Sequence, residues 1–222
     1  MLLIMERTLA FYPDLDSYWK KVQMNISGIP DERKGHLDEL VRYIQNSDHK
    51  DCHLVFICTH NSRRSHLSQL FAQLAAYDSG LNYIHTYSGG TEATALNPRV
   101  VQALERAGFR IKPSGGTASN PVYAIHYNDL DEPISVFSKT YDDPSNPPDD
   151  FAAVMTCSDA EENCPYIPGT SARISVKYED PKVADGTPYE TERYDERTFQ
   201  IACEMYYVMD RVVTLTDQNQ LR

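Results

Sequence analysis

Apolar residues recur along this chain in two alternating rhythms. In the mostly polar first fifty residues, Leu37, Leu40, Val41 and Ile44 fall at helical spacing, and Tyr18 and Trp19 anchor an earlier, shorter helix. Leu54 to Ile57 is apolar without alternation, as a strand buried on both faces of a parallel sheet would be. Leu67, Leu70, Phe71, Leu74 and Ala75 then follow the i, i+3, i+4, i+7, i+8 pattern of an amphipathic helix. A second strand is expected over Tyr83 to Tyr87, ending in Ser88-Gly89-Gly90. The segment "NPRVVQALERAG" is punctuated as a helix: Asn97 can cap it, Pro98 suits its first turn and Gly108 can end it. A short strand over Phe109 to Ile111, longer ones over Phe151 to Cys157 and Arg173 to Tyr178, and a closing helix carrying Phe199, Ala202, Met205, Tyr206 and Met209 complete the pattern.

Strands alternating with helices imply an α/β fold. The expected form is a small, mainly parallel sheet of about four strands, flanked by helices and preceded by a helical N-terminal extension. We place the extension at residues 1–50 and the main domain at 51–222. Residues 121–148 break the rhythm with two short β-like runs around an acidic turn, which reads as a hairpin and loop insertion.

Composition narrows the function classes. The formal net charge is -11, which argues against a nucleic-acid or anionic-membrane surface yet leaves room for a local cationic pocket. No apolar run approaches the length of a membrane span. The first apolar stretch, "MLLIM", stops at Glu6 and Arg7, short of a secretory signal. The expectation is a cytoplasmic protein with reduced thiols, in which any disulfide among the five cysteines is transient. No cofactor is expected, and no metal: Cys157 and Cys164 are spaced too widely for Cys-x-x-Cys, with no histidine near.

The chemistry concentrates in "LVFICTHNSRRSHLSQLF", Leu54 to Phe71. Ligands of open α/β sheets bind at the carboxyl ends of strands, where Cys58 sits. A helix starts a few residues later. The backbone N–H groups of Thr59, His60, Asn61, Ser62, Arg63, Arg64 and Ser65, with the helix N-terminus, can therefore converge on an anion. Arg64 adds a planar fork for an oxyanion. The same field favours thiolate over thiol at Cys58, the form that attacks, and the Ser65 hydroxyl can donate to the sulfur. Later, "KYEDPKVADG" offers Asp180 before Pro181. Alone this is ordinary turn chemistry. Beside the loop it is a carboxylic acid able to protonate a leaving oxygen and later activate water, with Glu179 and Asp185 as neighbouring substitutes.

Cys58-x5-Arg64-Ser65, with Asn61 inside the loop, resembles the phosphate loop of low-molecular-weight protein tyrosine phosphatases and of the thioredoxin-coupled arsenate reductases that share their fold. The resemblance covers roughly residues 52–213. Both families use an aspartate followed by proline on a late loop, which implies Asp180 as the acid. The chain departs from the phosphatases at His60, where they usually carry glycine, and at Arg63, where they usually carry a second cysteine. Lys182 follows Asp-Pro where a tyrosine is common, though Tyr178 and Tyr189 remain candidates to line a wall. Gln69 stands where some reductases carry a glutamate that binds potassium.

The segment "MTCSDAEENCPYIPG" closely resembles the redox segment of those reductases, with Cys157 and Cys164 seven residues apart and the second before proline. The resemblance implies arsenate reduction to arsenite, Cys58 attacking arsenic, Cys157 and Cys164 relaying the disulfide outward, and thioredoxin as reductant. The alternative is a phosphatase acting on phosphotyrosine or small phosphoesters through a phosphocysteine, which needs only Cys58, Arg64 and Asp180. A third reading is a non-enzymatic oxyanion-binding or thiol-sensing module. Cys52 and Cys203 read as packing thiols, and His60, His66 and His126 as structural or solvated.

Overall fold

An apolar stripe on otherwise polar sequence makes the early residues helical. In the computed structural model, which describes residues 11–47, 50–163 and 166–220, α1 (Pro13–Asn25) buries Leu15, Trp19 and Val22, and α2 (Asp31–Gln45) buries Leu37, Leu40, Val41 and Ile44. β1 (Cys52–Cys58) follows, then α3 (Arg64–Asp78), β2 (Ile84–Gly90) and α4 (Pro98–Ala107). β3 (Arg110–Thr117), β4 (Asn120–His126) and β5 (Ile134–Val136) come next, then β6 (Phe151–Met155), the short α5 (Ser158–Asn163), β7 (Thr170–Ser175) and the long α6 (Glu190–Gln220). Among the described residues no helix is long and apolar enough to cross a membrane.

β2, β1, β6 and β7 form, in that order, one parallel sheet, the four-stranded α/β architecture expected from the sequence. Helices α1, α2, α3 and α6 cover one face, and the short α5 with Ile167 and Tyr141 covers the other. The larger core joins Leu54 and Phe56 of β1 to α3, α6 and the two N-terminal helices; a smaller one on the opposite face gathers Val55, Ile57, Phe151, Ala153 and Met155. The N-terminal extension is therefore integral to the main core. The Trp19 ring stacks on Phe71 of α3 with centroids 6.4 Å apart, and α1 and α2 both pack on α6.

Helix punctuation acts as expected at α4. Asn97 accepts a hydrogen bond from the Arg99 N–H at 3.0 Å, and Gly108 ends the helix at φ 104°, a left-handed conformation that favours glycine. Strand ends differ more. β7 spans Thr170–Ser175 rather than 173–178, because Val176 and Tyr178 leave the ladder while still donating N–H bonds to the carbonyls of Met155 and Thr156. β6 stops at Met155, so Cys157 lies just beyond the strand. The short strand expected at Phe109 to Ile111 is the eight-residue β3, which pairs antiparallel with β4 across a bulge at Pro113/Gly115. The hairpin β4–β5 thus belongs to a three-stranded sheet. β3 is an exposed edge strand, where proline and glycine are tolerated, so Pro113, Gly115 and Gly116 do not end it.

Candidate active site

The loop between β1 and α3 is held by its carbonyls. Thr91 N–H donates to the Cys58 carbonyl (3.2 Å), Glu92 N–H and the Thr91 hydroxyl to that of Thr59 (2.9 and 3.1 Å), the Thr94 and Ser138 hydroxyls to that of His60 (3.1 and 3.0 Å), and Asn97 N–H to that of Ser62 (3.0 Å). Carbonyls drawn toward the 91–97 segment and Ser138 leave the opposite side of the loop to its N–H groups, the arrangement an anion needs. Asn61 adopts φ 43°, within the left-handed region that asparagine tolerates better than most residues. Its buried side chain donates to the Ser65 hydroxyl at 2.9 Å and accepts from the Lys139 N–H at 2.8 Å. Gly90 is a close-approach glycine: a Cβ there would lie 2.7 Å from Asn61 N and Thr59 O. Cys58 is buried at the foot of this loop, with its sulfur 3.1 Å from the Ser65 hydroxyl.

α3 begins at Arg64, so its N-terminus points into the same space. The Arg64 guanidinium meets the segment that carries Asp180: Nη2 donates to Asp180 Oδ2 at 2.7 Å and Nη1 to the Tyr178 carbonyl at 3.1 Å, while Nε is buried without a partner. Asp180 also caps a 3-10 turn over Pro181–Ala184, accepting from Lys182 N–H at 3.0 Å. Arg63 lies alongside, donating to the Tyr194 hydroxyl at 2.9 Å and lying 3.6 Å from Asp185 and 3.8 Å from Asp180. Asp185 accepts from Tyr194 (2.9 Å), and Arg99 pairs with Glu190 at 2.9 Å. Burial pushes the Tyr194 phenol up to about 12, which keeps it a hydrogen-bond donor. Glu179 turns away from Asp180, toward Arg197.

The second thiol is close to the loop. Cys157 is buried against it, with its sulfur 3.5 Å from the Thr59 hydroxyl, and accepts from Ala160 N–H at 3.4 Å. Cys58 and Cys157 share the smaller apolar cluster. Cys164 lies outside the described residues. Cys52 and Cys203 are buried elsewhere, each thiol pushed up to about 12 by burial, which suits packing rather than chemistry. His66 is fully buried and lowered to about 3, first by burial and then by Lys139; its Nδ1 faces the Ser88 hydroxyl at 3.1 Å. His60 is half-exposed beside Glu92. Gln69 spans from α3 to β2, donating to the Thr86 carbonyl at 3.3 Å. Among the described residues no group of three or more His, Cys, Asp or Glu side chains forms a metal cluster. Tyr178, two residues before Asp180, is buried, whereas Tyr189 is exposed.

The structure thus brings Cys58, Arg64, Ser65, Asp180 and Cys157 to one end of the sheet. Sequence reasoning missed Ser138, Thr91 and Tyr194, which hold the loop or Arg63. Their roles come from contacts across long stretches of chain, with no local motif.

Residues 53–146 match the model of the family described as low molecular weight phosphotyrosine protein phosphatase. An arsenate reductase of Bacillus licheniformis is 28% identical over 144 residues, covering 65% of this chain and 84% of that protein. An arsenate reductase of Bacillus subtilis is 29% identical over the same shares of the two chains. A low molecular weight protein tyrosine phosphatase of Bacillus subtilis, solved in solution, superposes with a TM-score of 0.48 at 13% identity, over 73% of this chain and 97% of that one. Through residues 53–146 the chain is similar to the low molecular weight phosphotyrosine phosphatases, and over about two thirds of its length to arsenate reductases.

Proposed function

We propose that this enzyme reduces arsenate to arsenite with Cys58 as nucleophile, and that a thioredoxin-type dithiol regenerates it. The observation that carries the reading is the second thiol, Cys157, buried against the loop with its sulfur 3.5 Å from Thr59. Phosphoester hydrolysis has no use for it. The Cys58 thiolate attacks arsenic while the loop N–H groups and Arg64 hold the remaining oxygens, and Asp180 supplies the proton with which one oxygen leaves as water. The Cys157 thiolate then attacks the Cys58 sulfur. The electron pair of the S–As bond passes to arsenic, which leaves as arsenite, and a Cys58–Cys157 disulfide remains. Cys164 attacks the Cys157 sulfur, Cys58 departs as thiolate, and the dithiol reductant resolves the Cys157–Cys164 bond.

Asp180 occupies the Arg64 fork. An arriving oxyanion takes that fork and frees the carboxyl to face the leaving oxygen. The test is NADPH consumption with arsenate, thioredoxin and thioredoxin reductase. Steady turnover by the wild type and a single turnover by Cys164→Ser support the relay; multiple turnover by Cys157→Ser or Cys164→Ser would overturn it.

The second reading is phosphotyrosine or small-phosphoester hydrolysis. The convergence of Cys58, Arg64 and Asp180 supports it, since these three suffice without the other thiols. Residual hydrolysis is expected even from a reductase, because arsenate and phosphate share charge and shape. A high rate on a phosphotyrosine peptide, with no arsenate turnover, would put this reading first.

A further inference from the structure

Three consecutive residues of the acid segment are each held by an arginine from a different helix. Arg64 of α3 binds Asp180 and the Tyr178 carbonyl. Arg197 of α6 donates to Glu179 at 3.2 Å. Arg33 of α2 lies over the Tyr178 ring, its Cζ 4.8 Å from the centroid. Arg33 is itself fixed: Nε and Nη2 donate to Glu204 Oε2 at 3.0 and 2.5 Å, and that glutamate is buried in α6. Gln200 closes the circuit, donating to Glu204 Oε1 at 2.9 Å and accepting from Arg197. Arg33 lies outside the stretch that matches the family model.

We propose that Arg33, on the N-terminal extension, is a positioning residue for the acid: by clamping Tyr178 it sets where the following residues present Asp180 to the cradle. The inference rests on Asp180 being the acid. Stacking of a planar guanidinium on a tyrosine face restrains both ring and backbone, because the Tyr178 side chain is buried and its carbonyl is already engaged by Arg64. Arg33 touches no reacting atom. It acts through Tyr178.

Removing Arg33 alone would leave Glu204 buried without its cation, which by itself threatens the fold. The test therefore uses Arg33→Met combined with Glu204→Gln, beside Asp180→Asn and wild type. Hydrolysis of p-nitrophenyl phosphate is compared with that of phenyl phosphate, whose poorer leaving group depends more on the acid. The expected result is a loss of about tenfold in kcat/KM on phenyl phosphate and less than about threefold on p-nitrophenyl phosphate, since kcat/KM reports the step in which the leaving oxygen is protonated. Asp180→Asn should show the same pattern, larger. Hydrogen exchange gives a readout independent of turnover. The amides of Lys182, Val183 and Asp185, which bond within the acid segment, should exchange about tenfold faster in the double variant, with β1 and β6 unchanged. Equal losses on both substrates with unaltered exchange, or no loss at all, would overturn the role of Arg33 while leaving Asp180 as the acid if Asp180→Asn keeps its leaving-group dependence. If Asp180→Asn shows none, the acid assignment fails, and the role of Arg33 fails with it.

Discussion

The oxyanion loop and the acid segment face each other across the site and are built from different kinds of restraint. The loop is fixed by neutral hydrogen bonds to its carbonyls and by the buried Asn61 side chain. The Asp180 segment adds ion pairs and a cation–π contact to its neutral backbone bonds, such as that from Tyr178 N–H to the Thr156 carbonyl. Neutral bonds pointing away from the anion are indifferent to its arrival, so the cradle is preorganised. Charged restraints compete with the anion directly, because Arg64 cannot hold Asp180 and an oxyanion with the same N–H groups. On the proposed function, one half of the site is a mould and the other would respond to occupancy.

The severest test of that division is Cys58→Ser, which should remove about 10⁴-fold or more of turnover with either oxyanion while leaving the loop able to bind phosphate. Measuring kcat beside the inhibition constant for phosphate separates the two effects. Asp180→Asn should cost about 10²-fold or more in kcat. Because it frees Arg64, it should not weaken phosphate binding; a weaker inhibitor constant would break the comparison. Phosphate at about a hundred times its dissociation constant should stabilise the protein by about 2.7 kcal/mol, and Arg64→Met should abolish most of that gain. Thermal unfolding with and without phosphate reads this out. Asn61→Ala should destabilise by about 1–3 kcal/mol, since Ala disfavours the left-handed φ and leaves the Lys139 N–H unpaired. It should also weaken phosphate binding, as disturbance of a mould requires.

Near neutral pH the smallest effect is a pH dependence on the loop side, which grows only on acidification. His66 is lowered to about 3 by burial, so the unfolded chain takes up a proton below about 6.5 that the folded protein refuses. Above 6.5 this contributes nothing, and as pH falls from 6.5 toward 3 it subtracts up to about 1.4 kcal/mol per pH unit. Denaturant unfolding of wild type and His66→Gln across pH 4–7.5 should show a shallower slope in the variant.

Where a signal is local, the sequence carried it. The unalternating apolar run of β1, the period of α3, the Asn97 cap and the Gly108 end of α4 are decided within a few residues, and each was legible. So was the juxtaposition of Cys58 with Arg64 and Ser65, because a strand-to-helix turn is a local object. β3 was read short, because its Pro113, Gly115 and Gly116 oppose strand formation and only pairing with β4 overrides them. Arg33 and Arg197 were invisible because what matters about each is a partner brought near by folding. Arg33 meets Glu204 across 171 positions of chain.

On the proposed function, the closed Arg64–Asp180 pair would also bear on selectivity. A halide or small monoanion reaching the site gains one weak attraction and must separate a cation and a carboxylate that already satisfy each other. A tetrahedral oxyanion brings several oxygens at once, enough to occupy the guanidinium fork and the loop N–H groups together. On that reading the site would be capped by its own carboxylate against small monoanions and would open to anions with the geometry to use all of it.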